Sequence, residues 1–291
     1  MFSKRFFHRL VFVSALASGW ILPANATAAS CVWKVTGPAG GSLYLGGSWH
    51  ALRKSDYPLP AAFDQAFNAS SRLAFEISPR DLRNSSKVLD RLGKYPKGDN
   101  LKNHVDARTY SYLRRFFGLI YVSEERFSKY RPWYLSMMLE APGQHGLSWE
   151  LGVERFLEKR AKATSKSIIG LESVNEHIEV FSGLSDRGSE ALLLITFIPV
   201  DKESPTFGRM MAAWRRGDAD ALASATKSSF HDFPAMGERL LGQRNRRWIP
   251  KIEEYLRSGK THFVVVGAAH MGESDGVLAL LRARGYKIEQ M

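Results

Sequence analysis

The same local pattern occurs near both ends of this 291-residue chain: an apolar strand, a Gly-x-x-His turn, a helix and a second strand. The two copies are residues 43–50 with the strand 73–77, and residues 264–270 with the strand 286–289. Because the two copies frame a helical middle, they predict a duplicated half-fold whose ends meet in one sheet. The expected fold class is α/β (α+β), with a central mixed sheet built from two pseudo-repeated units and a helical insertion over about residues 81–260.

Local patterns around these motifs predict the individual strands and helices. Residues 32–35 and 42–45 are expected to form strands on either side of a Pro-Gly turn. The unmixed apolar run 263–266 is typical of a strand that is buried on both faces. Residues 58–68 predict a helix. We expect Asp275 to cap the helix that follows the second motif.

The first 28 residues have the composition of a cleavable signal peptide. Basic residues precede an apolar run over residues 10–22, which is followed by Pro23 and by Ala-x-Ala cleavage sites. The run is too short to cross a bilayer, which takes about 20 residues, so an uncleaved anchor is the weaker alternative. We therefore expect a periplasmic or secreted protein whose residues 29–291 form one domain, with no transmembrane span in the mature protein.

Cys31 is the only cysteine, which excludes an intramolecular disulfide and leaves the fold dependent on its hydrophobic core. Its position just after the cleavage region raises the alternative of a lipoprotein. The preceding residues, Ala28-Ala29-Ser30, lack the large aliphatic side chain usual before a lipidated cysteine. We expect a partly buried thiol and no lipid anchor.

The chain is basic, with a formal net charge of +12. The basic residues are scattered along the sequence, and the densest cluster lies in a helical pattern at residues 244–247. The sequence contains no Cys/His zinc finger and no basic strand studded with aromatic residues. A solvated basic exterior is therefore expected, with no nucleic-acid partner.

The two histidines of the repeated turn and one glutamate are the candidate catalytic residues. Side chains just past the carboxyl end of a strand in a βα unit point into the crevice where ligands bind. His50 and His270 are therefore expected to face each other, and Glu76, at the end of its strand, to reach the same edge. Imidazole and carboxylate donors suit a Zn, Mn or Co ion, whose bound water becomes a nucleophile near neutral pH. The sequence predicts a divalent metal site formed by His50, Glu76 and His270.

Other interpretations of these residues remain open. Either histidine alone is as compatible with a hydrogen-bonded structural residue, and Glu76 with an ion pair or a helix cap. Arg244 is expected to hold a substrate carboxylate or to stabilise an oxyanion, unless it is simply an exposed helical residue. The possible functions are metal-dependent hydrolysis, metal-free hydrolysis with a histidine as general base, or non-catalytic capture of a peptide or polysaccharide.

Taken together, these motifs resemble the TraB/GumN/Tiki family over most of the mature chain. The residues that carry the resemblance are Trp33-Lys34-Val35, residues 43–52, the strand ending in Glu76, Arg244-Asn245, Val266-Gly267-Ala268-Ala269-His270, Gly276-Val277 and residues 280–286. The resemblance implies a fold similar to that of erythromycin-esterase-like and ChaN-like proteins, with pseudo-duplicated halves around a central sheet.

Tiki members of this family are membrane-tethered, metal-dependent proteases that favour manganese or cobalt. The resemblance thus implies an exported metallopeptidase acting on peptides, with His50, Glu76 and His270 in the site and Arg244 supporting it. TraB-type members are linked to shutting down peptide pheromones, and GumN-type members occur in exopolysaccharide gene clusters. This chain departs from the family pattern at Trp49, and at Glu154, which stands where aspartate is common.

Overall fold

The computed structural model describes residues 29–38, 40–139, 147–197 and 205–291. The predicted signal peptide lies outside these ranges. The strands are β1 (Val32–Thr36), β2 (Ser42–Ser48), β3 (Arg72–Ile77), β4 (Ser167–Glu172), β5 (His262–Gly267) and β6 (Lys287–Gln290). The helices of the first half are α1 (Ala61–Ala69), α2 (Pro79–Asn84), α3 (Ser86–Gly93), α4 (Ala107–Leu119), α5 (Glu124–Ser128), α6 (Pro132–Leu139) and α7 (Val153–Ala163). Those of the second half are α8 (Val174–Ser182), α9 (Asp186–Ile195), α10 (Pro205–Arg216), α11 (Ala219–Ser228), α12 (Pro234–Gly237), α13 (Gln243–Arg257) and α14 (Val277–Arg282).

The six strands form one mixed sheet in the order β4-β3-β5-β2-β1-β6. The pairs β4–β3, β3–β5 and β5–β2 are parallel, whereas β1 is antiparallel to both of its neighbours. The predicted mixed α/β architecture is confirmed. The carboxyl ends of β4, β3, β5 and β2 consequently lie side by side at one edge of the sheet.

The central strands are held by apolar packing on both faces of the sheet. Every residue of β5 is buried, as its unmixed apolar sequence predicts. In the neighbouring β2, a Cβ atom on Gly46 would lie 2.8 Å from the ring of Phe263, so a glycine is needed where that ring crosses the strand. β2 continues to Ser48, three residues beyond the predicted end at Leu45. The first Gly-x-x-His motif therefore starts inside a strand.

The two predicted half-folds are connected differently in the sheet. β2 and β3 lie on either side of β5, whereas two strands, β2 and β1, separate β5 from β6. The duplication therefore stays a prediction. The predicted cap at Asp275 is wrong, because Gly276 occupies the N-cap position of α14 and no side chain caps that helix.

The helical part of the chain has a hydrophobic cluster of its own, separate from the core that covers the sheet. It is formed by side chains of α4, α5, α6 and α9, among them Leu113, Phe117, Phe127 and Leu193. β4 is the one strand that the described part of residues 81–260 contributes to the sheet. Within the described ranges, the helices all fall short of the length and apolar character that crossing a bilayer requires.

Candidate active site

Each of the four parallel strands that end at the shared edge brings a polar side chain to it. Glu172 is the last residue of β4, and Glu76 is the penultimate residue of β3. His270 lies in a short 3₁₀ turn that follows β5, and His50 comes two residues after β2. Ligands of open α/β sheets bind at this edge.

His50, Glu76 and His270 surround the α-carbon of Gly267. A methyl group built on that carbon would lie 3.3 Å from Nε2 of His50, 3.4 Å from Oε1 of Glu76 and 3.5 Å from Cδ2 of His270. The backbone N–H of Gly267 also donates to Oε1 of Glu76, at 2.8 Å. The structure thus brings the three predicted side chains to one point, which only a glycine at position 267 leaves open.

The imidazole of His270 is buried and its orientation is fixed by Asn245. The amide nitrogen of Asn245 donates to the carbonyl oxygen of Asp275 at 2.9 Å, so its oxygen must face Nδ1 of His270, at 2.7 Å. His270 therefore carries its proton on Nδ1, and its Nε2 lone pair accepts from Nη1 of Arg244 at 3.3 Å, with Oε1 of Glu76 3.8 Å away. Burial lowers the pKa of His270 to about 3, which keeps the ring neutral.

His50 is held in a comparable way by a carboxylate. Oε1 of Glu154 lies 2.8 Å from Nδ1 of His50 and accepts a second hydrogen bond, of 2.5 Å, from the hydroxyl of Ser48. The negative charge of Glu154 raises the pKa of His50 to about 9. The indole of Trp149 stacks on the imidazole with ring centroids 6.2 Å apart. Half of the His50 side chain is exposed, so this histidine forms the solvent side of the site.

Arg244 is buried between two of the strand-end carboxylates and is not an exposed helical residue. Its Nη2 donates to Oε2 of Glu76 at 2.5 Å, and its Nε and Nη2 donate to Glu172 at 2.8 and 3.0 Å. Its Nη1 lies 3.3 Å from Nε2 of His270. Burial alone would raise the pKa of Glu76, but the charge of Arg244 holds it well below its usual range. Glu76 is therefore ionised and half of its carboxylate is already paired.

Glu172 is the residue of this network that sequence reasoning missed. Besides Arg244, it accepts hydrogen bonds from Nε1 of Trp248 at 3.0 Å and from Nδ1 of His177 at 3.0 Å. Although burial raises the pKa of Glu172, these donors lower it to about 2. His177 thereby joins the network through Glu172. The available signal was that Glu172 ends its strand much as Glu76 does.

An irregular helical turn lies just before the two consecutive residues that reach the site. Residues Glu238–Gly242 form a π-helical turn directly before α13. Such turns are rare in proteins, and those that occur are often found at functional sites. Arg244 and Asn245 follow within one turn and are both buried. Arg244 reaches the carboxylates, while Asn245 reaches His270.

The donor types at this point suit a divalent ion. Both histidines have Nδ1 engaged by a carboxylate or amide oxygen, which is the usual support of a metal-binding imidazole. Nε2 of His50 is left for a metal, whereas Nε2 of His270 faces Nη1 of Arg244 at 3.3 Å. Against this, Arg244 holds one oxygen of Glu76. In the part of the chain that the structure describes, no three His, Cys, Asp or Glu side chains are already spaced to enclose an ion.

A model of the TraB/PrgY/gumN family matches residues 31–290. This range contains all six strands and every residue of the network around Gly267. The chain belongs to the TraB/PrgY/gumN family. The resemblance seen in the sequence is thereby confirmed for this family, while the wider relation to erythromycin-esterase-like proteins stays a prediction.

Relatives of this chain come from distant organisms. An uncharacterized protein of Treponema pallidum (strain Nichols) is 25% identical, covering 87% of this chain and 80% of its own length. The uncharacterized protein YbaP of Escherichia coli (strain K12) is 24% identical, with coverages of 85% and 90%. A metalloprotease TIKI homolog of Amphimedon queenslandica is 22% identical over 92% of this chain and 62% of its own length. No solved structure matches the chain.

Proposed function

We propose that this chain is an exported hydrolase that cleaves peptide bonds with the help of a divalent metal ion. The observation that carries the proposal is the convergence of His50, Glu76 and His270 on the point above Gly267. The similarity to a relative named as a metalloprotease supports the choice of reaction class. Manganese and cobalt are the ions that the family resemblance favours, and zinc suits the same donors.

Nε2 of His50, Nε2 of His270 and Oε1 of Glu76 would hold the ion. When bound, it would lower the pKa of a water molecule and polarise a carbonyl group. Glu154 and Asn245 keep the two imidazoles pointed at the shared position. Arg244, through Nη1, would provide positive charge beside the reacting carbonyl oxygen.

A metal-free hydrolase is the second candidate, and the pairing of His50 with Glu154 favours it. A carboxylate that holds Nδ1 of a histidine, with Nε2 directed at the reaction site, is the arrangement that general-base catalysis uses. The ion pair between Arg244 and Glu76 agrees with a site that works without a metal. In this alternative, a water at the shared point would give its proton to Nε2 of His50 only where that ring is neutral, so activity would rise as pH approaches 9.

The test is cleavage of a peptide library by the purified protein with chelator and with added manganese, cobalt or zinc. Three variants, His50→Ala, Glu76→Gln and His270→Ala, are compared with wild type and with His231→Ala. His231 is the matched control, since its side chain is 76% exposed and pairs only with the neighbouring Asp232 among the described residues.

Metal-stimulated cleavage that disappears in the three variants and survives in His231→Ala would support the proposal. Cleavage that chelator leaves unchanged, but that Glu154→Gln and His50→Ala abolish, would favour the metal-free candidate. Peptide binding without turnover under every metal condition would contradict both and point to a capture protein.

A further inference from the structure

Three consecutive large hydrophobic residues project from the turn between α4 and α5. Leu119 is 79% exposed, Ile120 is 49% exposed and Tyr121 is 97% exposed. We call these three residues the apolar tip. Single exposed hydrophobic residues are ordinary on protein surfaces, but a contiguous group usually marks an interaction site.

The tip is a braced turn. On one side Phe117 is buried in the cluster of the helical part, and on the other Val122 packs against the same cluster. The backbone N–H of Val122 donates to the carbonyl of Phe117 at 2.9 Å, and that of Tyr121 donates to Gly118 at 3.2 Å. The intervening side chains are therefore directed outward by a fixed backbone.

Tyr121 occupies a backbone conformation that disfavours large side chains. Its φ is +57°, in the left-handed region where glycine and asparagine are common. A glycine would fit this turn at lower cost. The tyrosine ring thus stands where backbone preferences would select a different residue, and it makes the outermost side chain of the tip.

The tip lies in a basic part of the chain, although Glu124 and Glu125 follow it at the start of α5 and Glu124 pairs with Arg114. Arg115 lies one helical turn before Leu119, on the same face of α4, and Arg126 follows the tip on α5. Both are exposed, and within the described residues neither forms an ion pair. Residues 79–139 hold 13 Lys and Arg against 6 Asp and Glu, which accounts for +7 of the +12 net charge.

We propose that the apolar tip docks this protein on the surface of an anionic phospholipid bilayer. Leucine, isoleucine and tyrosine are suited to the boundary between headgroups and acyl chains, where the phenol hydroxyl stays hydrated. Arg115 and Arg126 would contact the phosphate groups beside the insertion point.

The experiment is co-sedimentation of the purified protein with phosphatidylcholine vesicles that contain or lack phosphatidylglycerol, at low and high salt. We expect binding to the anionic vesicles at low salt. The double variant Leu119→Ser/Ile120→Ser should reduce the partition coefficient at least about tenfold, since both side chains lose their apolar contact with lipid. Arg115→Gln/Arg126→Gln should reduce it by about tenfold as well, and only at low salt.

Two further variants distinguish weaker vesicle binding from a loss of folding. Tyr121→Gly removes the ring while relieving the left-handed backbone, so it should fold at least as well as wild type and bind vesicles more weakly. Leu82→Ser is the matched control, because Leu82 is 50% exposed on α2, much like Ile120, but lies outside the tip. It should bind as wild type does.

The proposal would be overturned if wild type and the tip variants sedimented equally with the anionic vesicles. It would also be overturned if wild type bound equally to vesicles with and without phosphatidylglycerol. Analytical ultracentrifugation without vesicles tests whether a second copy covers the tip. Self-association that Tyr121→Gly abolishes would overturn the lipid assignment in favour of a dimer. Neither result depends on whether the proposed hydrolase activity exists.

Discussion

Replacing Gly267 with alanine places one methyl group at the point that His50, Glu76 and His270 share. The backbone of Gly267 has φ −49° and ψ 135°, which any L-residue adopts without strain. The added carbon would lie 3.3 to 3.5 Å from its three neighbours, so they need to move by a few tenths of an ångström at most. We expect the free energy of unfolding to change by no more than about 1 kcal/mol.

The same methyl group takes the space of a water molecule or an ion, a volume of about 30 Å³. Metal affinity and peptide cleavage should therefore fall at least about 100-fold, which corresponds to about 2.7 kcal/mol. Metal titration and initial cleavage rates measure this loss, and urea unfolding measures stability.

Gly118→Ala in α4 is the matched control for this change. A methyl group there would have nothing within 4 Å, so activity should be unchanged, and the helix should gain about 0.5 kcal/mol or more. A folded Gly267→Ala protein that binds metal and cleaves peptide as wild type does would show that the reaction centre lies elsewhere.

Three further predictions concern the residues around this point. Asn245→Ala removes the acceptor that fixes His270, so metal affinity should fall about 10- to 100-fold in a metal titration, whereas Asn245→Asp, which keeps an acceptor, should lose less. Arg244→Met leaves the buried Glu172 and the partly buried Glu76 without their cation, so it should lower the urea-derived free energy of unfolding by about 3–5 kcal/mol. The exposed Arg246→Met should change that free energy by less than about 0.5 kcal/mol. Glu172 has a folded-state pKa of about 2 against an ordinary value of 4.5. Its ionised carboxylate therefore contributes about 3 kcal/mol to the free energy of unfolding above pH 4.5, and this contribution is lost as the pH falls toward 2. Urea unfolding at decreasing pH should show the stability difference between wild type and Glu172→Gln shrinking over that interval, and a constant difference would contradict this assignment.

The parts of the fold and site that the sequence predicts are those encoded by short, local patterns. The apolar run of β5 and the glycine after it specify a buried strand followed by a sharp turn, so the position of His270 could be inferred from a few neighbouring residues. The same holds for β2 and His50, although the strand end was placed too early. Glu76 followed from its place at the end of an apolar strand.

Apart from Arg244, the roles of the supporting residues could not be inferred, because they reach the site through tertiary packing. Glu154 is more than a hundred residues from Ser48 in sequence, yet it accepts the hydroxyl hydrogen of Ser48 and holds His50. This contact requires the start of α7 to lie against the first motif, and Gly152 permits it. A Cβ atom on Gly152 would lie 2.0 Å from the carbonyl oxygen of His50. A glycine at a helix start has many possible causes, so its meaning is visible only once the two segments are together.

The hydrogen bonds of the network also decide which atoms remain directed at the centre. Asn245 takes Nδ1 of His270, Glu154 takes Nδ1 of His50, and Arg244 takes Oε2 of Glu76. Each supporting group thus occupies an atom turned away from the position above Gly267, and the atoms nearest that position are Nε2 of His50, Oε1 of Glu76 and Cδ2 of His270. A network whose only task was to bury Arg244 would have no need to orient His50, which is half exposed and is held by Glu154. The orientation of both histidines toward one vacant methyl-sized space is therefore the structural argument that this edge of the sheet carries chemistry.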